Sequence, residues 1–133
     1  MAAPATTSPQ ATVDALFGAL DALDVDALEA LFSSDPQGVD ELSGGWRRGR
    51  ESLRQYLATV IGSGIADLHS TLSDVHVVEW GDVALATLVL DQTYSIGDRR
   101  SRIHAPTTIV LRREDGAWRV ALVHSVPLQE EAS

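Results

Sequence analysis

Apolar positions recur at helical spacing along the first half of the chain and alternate along the second, which predicts helices followed by a sheet. Within TVDALFGAL, Val13, Leu16, Phe17 and Leu20 fall on one face of an amphipathic helix. DVDALEALF predicts a second, short helix, capped by Asp24 and turning Ala27, Leu28 and Leu31 inward. SSDPQG then interrupts the pattern with turn residues and a proline. VDELSGGW, Val39 to Trp46, reads as a short strand or a loop leading to a turn at Gly44 and Gly45. Helical spacing returns in RESLRQYLATVI, where Leu53, Tyr56, Leu57, Val60 and Ile61 share a face. GSG, Gly62 to Gly64, ends that helix.

Beyond Gly64 the texture is β-like. Two alternating runs flank WGD in STLSDVHVVEWGDVALATLVLDQTYSI, a hairpin signal. Val83, Leu85 and Val89 lie on one face of the second strand, and Ala84, Ala86, Leu88 and Leu90 on the other. Both faces are apolar, which predicts helices over one side and a partner subunit over part of the other. A turn at Gly97 and Asp98 precedes a strand over about Arg102 to Leu111. Pro106 inside it predicts a bulge, an edge or a break. REDGAW turns the chain into a last strand, Trp118 to His124.

Composition narrows the picture. The 133 residues suffice for one domain and its core. The expected division is a flexible arm over residues 1–10, one domain over 11–127 and an exposed tail over 128–133. A net charge of -9 argues against bulk attraction to nucleic acid or an anionic membrane, with RRGR at Arg47 to Arg50 read as solvated surface. The absence of cysteine excludes disulfides, thiol nucleophiles and thiolate metal sites. No secretory signal and no apolar run of about 18 to 20 residues is seen, so a cytoplasmic protein is expected.

The opening LDALDVDALEALF, the passage WRRGRESLRQYL, the hairpin VVEWGDVALATLVL and the ending IVLRREDGAWRVALVHSVP carry a resemblance over residues 11–127. In that order they resemble the nuclear-transport-factor-2-like superfamily, particularly its SnoaL-like members. The resemblance implies an α+β fold: a cone-shaped, curved antiparallel sheet covered by three N-terminal helices. It also implies a homodimer and a cavity. Trp118 and His124 match the family's closing tryptophan and histidine, while HSVP departs slightly from the usual exit. Such cones serve isomerases, cyclases, dehydratases, ligand-binding proteins and interaction modules, so the fold does not choose among them.

Candidate chemistry comes from spacing and from that resemblance. Period two puts Trp118, Val120, Leu122 and His124 on one face, which would bring His124 to the cavity wall if that face points inward. The alternative is a histidine bonded to backbone or exposed at the sheet edge. The resemblance makes Asp40, beside Glu41, the expected acid/base carboxylate, aided by His124 or by Tyr56 as a hydrogen-bond donor. Core packing is the alternative for Tyr56. Phe17, Trp46, Tyr56, Trp118, Leu122 and His124 form the expected ligand-contacting set. His69, His76 and His104 show no metal-site spacing, and neither a metal nor a cofactor is expected. The function expected first is binding of a small, predominantly apolar metabolite. The alternatives are an isomerase, cyclase or dehydratase acting by proton transfer, or a protein-interaction or structural dimer domain.

Overall fold

A computed structural model of the chain describes residues 8–128. Residues 1–7 of the expected arm and 129–133 of the expected tail lie outside the described residues. Helix α1 spans Pro9–Asp21. Ser8 caps it by accepting from the Ala11 amide at 3.1 Å, and Pro9 fits the first turn, where no amide hydrogen is needed. Helix α2, Val25–Leu31, starts at Asp24, whose carboxylate accepts from the Ala27 amide. Strand β1, Phe32–Asp40, and the two-residue β2, Arg47–Arg48, come next. Helix α3, Arg50–Gly62, leads into β3, Ile65–Trp80. Strands β4, Val83–Ile96, β5, Arg99–Glu114, and β6, Ala117–Ser125, complete the chain of elements.

The architecture corrects the expected one. The sheet is mixed, because β1 runs parallel to β6 while the other neighbours are antiparallel. Its order is β2-β1-β6-β5-β4-β3, an open sheet with edges at β2 and β3, neither closed nor curled into a cone. Only α1 and α2 precede the sheet; α3 comes after β1 and β2. The physical source of the error is SSDPQG, which forms most of β1 rather than a turn. Pro36 sits where the β1–β6 register shifts between Phe32 and Gln37, so the ladder is already interrupted where an amide hydrogen is missing.

Turn chemistry fixes the other registers. Asp115 and Gly116 both have positive φ, 52° and 79°, as a two-residue turn with the twist of its flanking strands requires. Pro106 is accommodated as an edge. The β5–β6 ladder ends at Thr107 opposite Ser125, so β5 has no β6 partner at Pro106. Edge strand β3 carries two register shifts, near Asp67 and Asp74, which both adopt positive φ. Such bulges blunt an exposed edge against pairing with another chain.

Ala84, Ala86, Leu88 and Leu90 of β4 are buried beneath the helices, with Ile103, Ala105, Ile109 and Leu111 of β5. Val13, Leu16 and Phe17 of α1 and Leu28 of α2 close that core from above. The opposite sheet face is open. Val78, Trp80 and Val83 are exposed there, on the side of the ladder that also holds Leu85, Val110 and Leu122.

Candidate functional site

Between α1, α3 and the sheet lies a cavity in two adjoining chambers of about 80 Å³ and about 90 Å³. Phe17, Leu20, Asp40, Tyr56, Leu57 and Val123 line both. The first chamber extends toward Leu28, Phe32 and Leu53. The second extends toward Leu90 and Ile103, and it gathers the polar side chains of Glu41, Gln92, Tyr94 and Ser125. A mainly apolar wall with polar groups gathered in one part is the general form of a small-molecule site.

Asp40 stands at the end of β1 and organises the turn over Glu41 to Ser43. Its Oδ1 accepts from the Leu42 and Ser43 amides, each at 2.9 Å, and from the Tyr56 hydroxyl at 2.6 Å. Ser43 replies, its Oγ accepting from the Asp40 amide at 3.0 Å. The carboxylate therefore holds the turn and ties it to α3. Tyr56 spends its proton on that bond and meets anything else in the chamber through an oxygen lone pair. The donor role expected for Tyr56 would require breaking it. Burial first, and then the Asp40 charge, raise the Tyr56 pKa far above the ordinary phenol range. The Arg47 guanidinium lies 5.7 Å from the Tyr56 ring centre and donates to the Ser43 carbonyl at 2.8 Å.

Glu41 is the more responsive carboxyl. Burial raises its pKa from 4.5 to about 7; its own backbone N–H opposes the rise and the neighbouring Asp40 charge adds to it. Tyr94, buried in the second chamber, is also raised, by burial and then by the Glu41 charge. The folded chain thus keeps the Glu41 proton at pH values where the unfolded chain has lost it. Stability contributed by the protonated form is complete below 4.5 and is lost as pH climbs toward 7. Glu41→Gln is expected to raise the unfolding free energy by on the order of 1–2 kcal/mol at pH 8, after allowance for solvent screening, and by much less at pH 5. Urea denaturation at the two pH values reads the difference.

The structure brings Asp40, Tyr56 and Phe17 together and separates them from the rest of the expected set. Trp118 is buried in the core near α1, where its carbonyl accepts from Thr12, and it lines neither chamber. His124 is exposed on the outer sheet face, 6.0 Å from the ring of Trp46. Leu122 belongs to that outer face as well, opposite Val110. The period-two face expected for Trp118, Val120, Leu122 and His124 is corrected by a bulge. Val110 and Leu111 of β5 pair with Leu122 and Val120, leaving Ala121 as an extra residue. Past that point the phase inverts. Trp118, Val120, Val123 and Ser125 face the helices, and Leu122 and His124 face away.

Sequence reasoning passed over Gln92, Tyr94 and Ser125 and gave Glu41 a minor place. A period-two signal existed for Gln92 and Tyr94, which continue the inward phase of Leu88 and Leu90. Ser125, only 5% exposed, bonds the Thr107 hydroxyl at 2.9 Å; its inward phase was hidden by the bulge. Among the described residues no three His, Cys, Asp or Glu side chains gather as a metal-binding group.

Comparison with known proteins agrees with this architecture. The family model described as a SnoaL-like domain matches residues 10–129. No curated protein matches the chain significantly. Among solved structures, a protein proposed to be a calcium/calmodulin-dependent protein kinase type II association domain, from Thiobacillus denitrificans, is 25% identical. That alignment covers 96% of this chain and 100% of the other, with a TM-score of 0.77. A proposed dehydratase of the NTF2-like family from Streptomyces avermitilis is 21% identical over 90% of this chain and 92% of its own, with a TM-score of 0.80. A proposed aromatic ring hydroxylase from Novosphingobium aromaticivorans is 19% identical over 91% and 87%, with a TM-score of 0.81. The last two likenesses show the fold alone. With its match over nearly the whole chain, the protein belongs to the SnoaL-like family of the nuclear-transport-factor-2-like superfamily.

Proposed function

We propose that this protein binds a small, predominantly apolar molecule in the two-chambered cavity, within one domain over residues 11–127. The carrying observation is the union of an apolar wall with polar groups gathered in the second chamber. The wall would supply affinity by removing apolar surface from water, at about 25 cal/mol per Å². The polar end would fix orientation. Leu57 lines both chambers, so Leu57→Trp fills their junction. 2-Phenylethanol is expected to bind the native protein, and the substitution to weaken it at least tenfold. Unfolding free energy should change by less than about 2 kcal/mol, because Leu57 is only partly buried. Binding that survives Leu57→Trp places the ligand elsewhere.

A second reading is an isomerase, cyclase or dehydratase working by proton transfer. It is favoured by Glu41, whose pKa of about 7 suits a group that both takes and returns a proton near neutral pH. In that reading Glu41 exchanges the proton, and Asp40 with Tyr56 holds the turn that carries it. The dehydratase proposed among the solved structures is consistent with this alternative. A homodimer is the companion proposal. Exposed Val78, Trp80 and Val83 continue the apolar outer face of the sheet, which a second copy would cover.

A further inference from the structure

We infer that the second chamber is an amine site: a ligand with its apolar body against Phe17, Leu57 and Leu90 places a protonated nitrogen among Asp40, Glu41, Tyr56 and Tyr94. The inference rests on the proposal that the cavity binds a ligand, and it names that ligand's polar group.

The donor and acceptor inventory carries it. The chamber contains two carboxyl groups and two phenols, and none of its described lining residues is Lys, Arg or His. Most of its donors are already engaged. The Tyr56 proton goes to Asp40, Gln92 Nε2 donates to Ser70 Oγ at 3.0 Å, and the Ser125 hydroxyl is paired with Thr107. Acceptors remain. No described hydrogen bond reaches Asp40 Oδ2, and Glu41 has no ion-pair partner among the described residues. A site rich in acceptors and poor in donors complements an ammonium, which has three N–H groups and accepts nothing. The faces of Tyr56 and Tyr94 add attraction for a cation. A carboxylate or phosphate would instead meet two carboxylates without a partner. Arg47, the cation nearest Tyr56, lines only the first chamber and is held by the Ser43 carbonyl.

The charge state gives the site a pH signature. Asp40 beside Glu41, Tyr56 on α3 and Tyr94 on β4 are the titratable groups around Glu41, and α1 and β6 present none to it. An alkylammonium keeps its proton up to a pH of about 10, whereas Glu41 loses its own near 7. Amine binding should therefore release a proton from Glu41 and strengthen as pH rises from 6 to 8.

The test is calorimetric titration of the full chain with 2-phenylethylamine, 2-phenylethanol and 3-phenylpropionate. At pH 8 the amine is expected to bind at least tenfold more tightly than the alcohol, with the carboxylate weakest. That advantage should shrink at least threefold at pH 6, and likewise in Glu41→Gln and Asp40→Asn. Glu51→Gln, an exposed acid on α3, should leave it unchanged and so separates the site from general attraction to an acidic surface. If the alcohol or the carboxylate binds the native protein as tightly as the amine, the amine assignment is wrong while the ligand cavity stands. The same holds if neither cavity carboxyl variant alters the preference. If none of the three binds, both readings fall.

Discussion

Deleting Ala121 is expected to cost more than about 4 kcal/mol of stability, enough to leave much of the population unfolded. The residue itself contributes little: it is a small, half-buried side chain. What it contributes is phase. It is the extra residue between Val120 and Leu122, the pair facing Leu111 and Val110 of β5. Without it, continuous pairing would turn Val123 and Ser125 out to solvent and drive Leu122 and His124 under α1 and α3. The buried Thr107 hydroxyl would lose the Ser125 partner it now holds at 2.9 Å, and β1 would lose its match to β6. Ala121→Gly keeps the residue count and should cost only about 1 kcal/mol. Urea denaturation followed by circular dichroism compares the two. A deletion mutant as stable as Ala121→Gly would refute the assigned bulge.

Asp40→Ala should have the second largest effect, about 2–4 kcal/mol, together with loss of ligand binding. Three donors converge on one oxygen: two amides of the turn and the Tyr56 hydroxyl. Alanine leaves all three without their acceptor, releases the turn carrying Glu41 and unties α3 from β1. Asp40→Asn retains an oxygen at Oδ1 and should lose less than half as much. The comparison, read by urea denaturation, separates Asp40 as an organiser of the turn from Asp40 as a charge. Equal losses in the two variants would mean that charge, not the shared acceptor, holds the turn.

These two residues also show how far a sequence can disclose a fold. The helices were legible because Val13, Leu16, Phe17 and Leu20 repeat at 3.6-residue spacing and Asp24 is a capping residue. The β3–β4 hairpin was legible because Trp80 and Val83 flank a Gly-Asp turn. Strand β1 was not: its SSDPQG segment has turn composition, and its pairing partner β6 lies more than 80 residues away. No local rule reports that a proline will fall on an irregularity in a parallel ladder.

The cavity was half legible for a related reason. Phe17, Asp40 and Tyr56 come from elements whose phase is set by local spacing, and they meet. Alternation along AWRVALVHSVP, by contrast, predicted His124 inward because a bulge leaves no mark in composition. Ala121 looks like any other strand alanine. A single inserted residue moved the histidine to the outer face and brought Ser125 inside.

A methyl NMR titration with 2-phenylethanol tests the central claim most directly, because leucines sample both faces of the sheet. Shifts are predicted at Leu20, Leu57 and Leu90, which line the cavity, with Leu85 and Leu122 on the outer face unmoved. Shifts confined to Leu85 and Leu122, or no shifts at saturating ligand, would contradict a ligand site between the helices and the sheet.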